Sequence, residues 1–204
     1  MIRRWGRIIS GRSATAVIQD KGRVYDTDEI KGYYNDLTGK VSAGTILDSD
    51  GLPLTQIGSG QMVHFPIAVF QYGLGCYDIF LENPERKEKL STVINIAEWA
   101  VRQQRGDGSW DCFSPLKSNK YTVSSMGQGE GASLLFRAYA ASGREEFKLA
   151  AFHAIDFMLR GVGDGGVTVY ENNQIFLEEY PQTPRRSVLN GWIFSMFGLY
   201  DAAL

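Results

Sequence analysis

Histidine and cysteine are scarce in this 204-residue chain, with two of each. Cys76 and Cys112 stand far apart, outside any Cys-x-x-Cys spacing, and His64 and His153 are equally isolated. Structural or catalytic zinc needs three or four ligands at short, regular spacing, so no metal site is expected. Two lone cysteines also make a reducing compartment the default. Long apolar runs are missing as well. No stretch approaches the roughly 20 residues that cross a bilayer, and the basic opening MIRRWGRIIS lacks the apolar core of a signal peptide. The expectation is a cytoplasmic chain of bacterial type without a transmembrane segment. An excess of one charge is absent too: 21 Lys and Arg face 23 Asp and Glu, for a formal net charge of −2. The basic residues are scattered and form no stripe of the kind nucleic acid requires.

What is present is ordinary globular material, 44% hydrophobic and 22% charged, enough to bury one sizeable core. Aromatics reach 12%, with ten Tyr and four Trp. That richness suits a groove that stacks flat ligands such as sugars. It suits a packed core equally well, and packing is the default for most of these rings.

Residues 1–50 read as an irregular N-terminal segment with possible short strands, including a hairpin over Thr15 to Tyr25 around Asp20-Lys21-Gly22. GYYNDLTGK and DSDGLPLTQIGSG read as loops. From residue 51 to 204 the pattern turns helical. The first helix is predicted over His64 to Leu81, with Pro66 in its opening turn. A second covers Glu85 to Arg105, with Val93, Ile96, Ala97, Ala100 and Val101 on one face. Ser125 to Ala141 is a third and Glu145 to Leu159 a fourth. GGVTVYENNQIFLEEY is predicted as a hairpin around Asn172-Asn173, and Pro184 to Asp201 as a fifth helix, so apolar that burial on several sides is expected.

The fold class expected is therefore mainly α: a partial (α/α) toroid of antiparallel helices with a β-hairpin insertion. The linker QQRGDGSW supports it. Gln104, Asp107, Gly108 and Trp110 match a helix-end turn recurrent in such toroids, in which glycine caps the helix and Trp110 packs back on it. The aspartate-rich motif of terpene cyclases is absent. Gly127, Gly129 and Gly131 lack the strand context and lysine of a phosphate loop, so they read as close-approach positions. Arg137 is expected in a buried structural ion pair, and Tyr200 and Asp201 in packing the last helix terminus.

Two segments are more distinctive than any helical pattern: SSMGQGEGASLLFRAY, Ser124 to Tyr139, and LEEYPQTPRRSVLNGWIFSMFGLYD, Leu177 to Asp201. Together with GLPLTQIGSGQMVHFPIAVFQYGLGCYD, Gly51 to Asp78, they resemble, in order, the C-terminal domain of the D-glucuronyl C5-epimerases. That resemblance implies an isomerase acting on glucuronate residues of a heparosan-like or other uronic-acid polysaccharide, without a cofactor, by proton removal at C5 and return on the opposite face. It further implies that Tyr180 is a catalytic tyrosine and Glu179 its adjacent glutamate. A tyrosine serves such chemistry when neighbouring positive charge lowers its pKa. Gln128 and Asn190 fall in the matching motifs with amides suited to sugar hydroxyls, and Arg185 is a candidate substrate contact, with Glu178 or Glu179 as its alternative partner. The neutral alternatives are a strand-end plug for Tyr180 and helix capping or interhelical bonding for the amides.

Family members continue beyond Gly-Leu-Tyr-Asp with two further catalytic tyrosines and a substrate-binding arginine, whereas this sequence stops at Leu204. The resemblance thus implies an incomplete toroid, covered by a second copy or a second chain. Two other readings stay open. One is a non-catalytic subunit that binds uronate glycans. The other is a toroid-fold polysaccharide lyase or unsaturated glucuronyl hydrolase.

Overall fold

The computed structural model describes residues 20–41, 44–58, 60–116 and 120–204. Among them are five α-helices: α1 (Pro66–Glu82), α2 (Lys87–Gln103), α3 (Ser125–Ser142), α4 (Glu145–Leu159) and α5 (Leu189–Ala203). Two small antiparallel hairpins accompany them, β1 (Thr55–Gln56) with β2 (Met62–Val63), and β3 (Thr168–Glu171) with β4 (Gln174–Leu177). The protein is mainly helical. No helix among the described residues is long and apolar enough to cross a membrane.

The helix boundaries follow local chemistry. Pro66 opens α1, where its missing N–H costs nothing. Ser124 caps α3 by accepting from the Gly127 N–H, and Gly143 ends it with φ +68. Between β3 and β4, Asn172 and Asn173 both take positive φ, 50 and 59, as a two-residue hairpin turn demands.

Helix α3 is the centre of the fold. Residues Ser125 to Ala138 are all buried, and the helix packs against each of the other four. Its glycines are the reason it fits. A Cβ at Gly129 would lie 2.7 Å from Phe194 O, one at Gly131 would lie 2.5 Å from the Trp110 ring, and one at Gly127 would lie 2.3 Å from Cys112 Sγ. From the opposite side, a Cβ at Gly198 on α5 would come 2.6 Å from the Gly129 backbone. The glycine triplet is thus a set of close-approach positions. Beside it, Ser195 Oγ on α5 donates to Ser125 Oγ at 2.9 Å.

At the other end of this contact, Arg137 and Asp201 form a fully buried ion pair at 2.6 Å. Arg137 also donates to Ser133 O and Gly32 O, while Asp201 accepts from the Tyr34 hydroxyl at 2.9 Å. One charged pair therefore ties α3, α5 and the segment before the helices. Tyr33 completes the joint: its N–H donates to Asp78 on α1 at 2.8 Å, and its ring stacks on Phe194. Tyr200 lies half out, donating to Thr27 O.

The turn after α2 is built as its residues suggest. Gln104 Nε2 donates to Gly108 O and Ala150 O, Asp107 accepts from the Ser109 N–H, and Trp110 Nε1 donates to Ala100 O at 2.8 Å. One detail differs. The helix ends at Gln103 without a glycine cap, and Gly108 takes its left-handed φ of +89 in the turn beyond, pressed against His153 O.

Three other expectations are corrected. Pro184 does not open the last helix: α5 begins at Leu189, because residues 184–188 are drawn away from helical geometry toward Glu178, which Ser187 and Arg185 both approach. Nor is α5 buried on several sides. Leu189, Ile193, Met196, Tyr200 and Leu204 form an exposed stripe at helical spacing. The hairpin over Thr15 to Tyr25 lies partly outside the described residues. Within them, Asp20-Lys21-Gly22 is not a turn but runs alongside residues 34–36, with Gly22 N–H donating to Tyr34 O.

Removing one member of the buried pair leaves the other charge uncompensated, at a cost of about 3–5 kcal/mol. Arg137→Met is expected to lower unfolding stability by about that much, and Arg137→Met/Asp201→Leu to recover most of it. Urea unfolding of the two variants checks this.

Candidate active site

Strand β4 ends at Leu177, and the three residues after it are held from two sides. Glu178 N–H donates to Val167 O at 2.9 Å, and Glu178 O accepts from the Ser125 N–H at the start of α3. This clamp fixes where Glu179 and Tyr180 emerge.

Glu178 itself is buried. Its Oε1 accepts from Ser187 Oγ at 2.6 Å and lies 3.8 Å from Arg185 Nε. Arg185 further pairs with Glu171 at 3.2 Å and covers the Phe176 ring at 3.8 Å. Its charge is answered within the protein, by one of the carboxylates proposed from the sequence.

Glu179, 8% exposed, turns the other way, onto the first turn of α5. A Cβ at Gly191 would lie 2.7 Å from its Oε2 and 2.8 Å from its Cβ, so glycine is what admits the carboxylate there. Burial raises the Glu179 pKa, and hydrogen bonding with Tyr180 draws it back. Tyr180 is half-buried and stacked on Phe113, centroids 5.0 Å apart and planes 25° apart. Its pKa is pushed up to about 12 by burial and by the neighbouring Glu179. A hollow of about 270 Å³ opens beside Pro181, lined in part by Lys120, Tyr121 and Val123.

Of the sequence-predicted residues, Tyr180, Glu179 and the α5 start bearing Asn190 come together, and Asn190 is exposed. Arg185 is nearby in the chain but committed to Glu171 and Glu178. Gln128 is not at the surface. It is fully buried, and with its amide nitrogen facing Gly108 O it donates there at 3.2 Å while accepting from Trp110 N–H at 3.2 Å. It bonds α3 to the turn after α2, which is a structural role but neither of the two neutral alternatives, helix capping or interhelical bonding.

Sequence reasoning missed several groups. Phe113, the platform under Tyr180, carries no local signal, since a stacking partner 67 positions away has no period. Glu130 sits wholly buried on α3, Oε1 accepting from Gln71 Nε2 at 2.9 Å and Oε2 without a partner among the described residues. Its pKa is raised to about 8 by burial, against the pull of Gln71 and Lys40 and with the help of Glu179. A third omission is the pair His64 Nε2 and Asp48 Oδ2, 2.8 Å apart, at the edge of a second, larger cavity.

Fold and site together define a mainly helical domain in which a buried carboxyl and a phenol are adjacent at the start of a helix. Residues 106–203 match the family model described as D-glucuronyl C5-epimerase C-terminus. A D-glucuronyl C5-epimerase of Caenorhabditis elegans is 35% identical over 125 residues, covering 57% of this chain and 20% of that protein. The chain thus spans about a fifth of the length of the curated relative it matches. Over this region the chain is thus similar to the C-terminal domain of the D-glucuronyl C5-epimerases.

The fold keeps Glu130 protonated to about pH 8, whereas an exposed glutamate ionises near 4.5. Between these values the unfolded chain releases a proton that the fold retains, so stability falls as pH rises through the window. Asp78, raised to about 7 mainly by burial, adds a slope of the same sign. Glu130→Gln, which keeps the acceptor for Gln71, is expected to remove roughly half of the decline between pH 5 and pH 8, Asp78 keeping the rest. Urea midpoints at the two pH values measure it.

Proposed function

We propose that this domain takes part in C5 epimerisation of glucuronate residues within a uronic-acid polysaccharide such as heparosan. The observation that carries the reading is the Glu179–Tyr180 pair, set in the stretch that matches the family. Epimerisation needs a proton removed from one face of the ring and returned on the other. With its pKa held near 12, Tyr180 keeps its proton at neutral pH and acts as the donor. Glu179, whose carboxylate the phenol favours, balances charge as the proton moves. Asn190 is the contact for sugar hydroxyls, Arg185 meets the sugar carboxylate by exchanging its exposed partner Glu171 for it, and Lys120, lining the hollow beside Pro181, offers a further countercharge. Gln128 supports the site from behind by holding the Gly108–Trp110 turn.

The group for the opposite face is assigned by the resemblance to further tyrosines, supplied by a longer polypeptide or a partner chain. In this reading the helical hairpins are part of an (α/α) toroid. The exposed stripe on α5 is then the surface that more helices or a second copy cover. A binding role without chemistry is the second reading, favoured by the high Tyr180 pKa, which leaves no tyrosinate base on this face at neutral pH.

Incubation of the purified protein with heparosan in deuterated water, followed by NMR at C5, tests the proposal. Deuterium uptake is expected where the opposite-face group is supplied, by the longer polypeptide or a partner chain, and is expected to fall about 100-fold or more in Tyr180→Phe, as loss of a general acid or base does. Uptake unchanged in that variant removes Tyr180 from the mechanism, and no uptake by the folded protein leaves the binding role. Gly191→Ala, whose methyl would meet the Glu179 carboxylate 2.7 Å away, is expected to lower kcat with the fold retained, as judged by circular dichroism.

A further inference from the structure

Arg185 lies where three parts of the fold meet. Strands β3 and β4 pair Glu171 with Gln174 and Val169 with Phe176, so Glu171 and Phe176 share one face of the hairpin as diagonal neighbours. The Arg185 guanidinium covers the Phe176 ring, its centre 3.8 Å from the ring centroid. Phe176 in turn meets Trp192 of α5, with centroids 6.1 Å apart. Trp192 follows Gly191, the residue that admits the Glu179 carboxyl. The platform under the cation therefore adjoins the turn that holds Glu179.

Two carboxylates answer this cation, and they differ in freedom. Glu178 is 1% exposed, with Oε1 3.8 Å from Arg185 Nε. Its Oε2 has no hydrogen-bond partner among the described residues, and its backbone is clamped between Val167 and Ser125. Glu178 cannot move away. Glu171, by contrast, is 54% exposed beside the hairpin turn, 3.2 Å from Arg185 Nη1. Neither approach reaches the about 2.7–2.9 Å of a close arginine–carboxylate hydrogen bond. The pairing with Glu171 is thus a surface ion pair of the kind that water and salt weaken. Stacking on Phe176 uses the face of the guanidinium, whereas a carboxylate is bound along its edge.

We propose that Glu171 is a built-in competitor for Arg185: in the unliganded protein it holds the place that a uronate carboxylate takes, and so sets how tightly that sugar is bound. The inference rests on the reading of Arg185 as the sugar-carboxylate contact and adds what regulates that contact. An entering carboxylate displaces the exposed partner, while buried Glu178 keeps the arginine in place. Glu171 returns when the sugar leaves. Apparent affinity is lowered by the fraction of protein in which Glu171 occupies the arginine.

Calorimetric binding of a heparosan hexasaccharide to the full chain tests this, with the carboxyl-reduced hexasaccharide as its uncharged twin. The Trp192 indole N–H signal, beside the Phe176 platform, reports whether binding is local. Glu171→Gln, at an exposed strand end, is expected to bind the uronate hexasaccharide about two- to five-fold more tightly, the size of a surface ion pair. Its affinity for the reduced hexasaccharide is expected to stay as in the unsubstituted protein. In an Arg185→Gln background the same substitution is expected to gain nothing. A gain that persists without Arg185 is general repulsion of a polyanion and overturns the proposal. So does a gain without a Trp192 response, or an unchanged or weaker affinity in folded Glu171→Gln protein. Failure of the epimerase reading is separable. C5 deuterium exchange in a protein whose affinity ignores Glu171 removes the competitor alone, and an Arg185-dependent gain without exchange removes the chemistry alone. Absence of binding to either protein removes both.

Discussion

A buried arginine paired to a buried aspartate organises this domain. Taking two charges out of water is costly, and Arg137 and Asp201 recover the cost only because each has further partners in place. Those partners lie on different parts of the chain: Ser133 on α3, Gly32 and Tyr34 in the segment before the helices. Satisfying one pair therefore sets the position of α5 relative to α3 and docks residues 20–41 on both. The glycines at 129 and 198 permit the approach, and the pair decides its register.

That register reaches the site. With α5 pinned at its C-terminal end by Asp201 and along its length by Gly198 and Ser195, its first turn has one place to be, against Glu179. The residue clamp on Glu178, between Val167 and Ser125, brings the carboxyl to the same point from the other direction. The glutamate is thus located by two independent parts of the fold. Tyr180 is located by a third, the Phe113 ring.

Much of this was legible in the sequence where the signal was local. Glu145 and Leu159 bound a helix in both readings, since apolar spacing and short linkers suffice. Asn172-Asn173 announced a turn that needs positive φ, and Arg137, a charge within an apolar stripe, announced a buried partner. The glycine triplet was legible as close approach because nothing around it suited phosphate. What was not legible depends on distance. Pro184 was a plausible helix start until Glu178, six residues earlier, claimed Ser187 and Arg185. Gln128 looked like a ligand contact because a motif cannot say which way an amide faces. Phe113 under Tyr180, and His64 beside Asp48, join segments with no shared period.

Adjacency of the two candidate residues has its own implication for control. Glu179 and Tyr180 are separated by one planar peptide, which has no soft torsion of its own. Their Cα atoms therefore keep a separation of about 3.8 Å, whereas the aim of each side chain is set by what holds it, the Gly191 turn for the carboxyl and the Phe113 ring for the phenol. A shift of α5 against α3 would thus move the surface under the carboxyl and leave the platform under the phenol in place, so the two neighbours can be re-aimed separately.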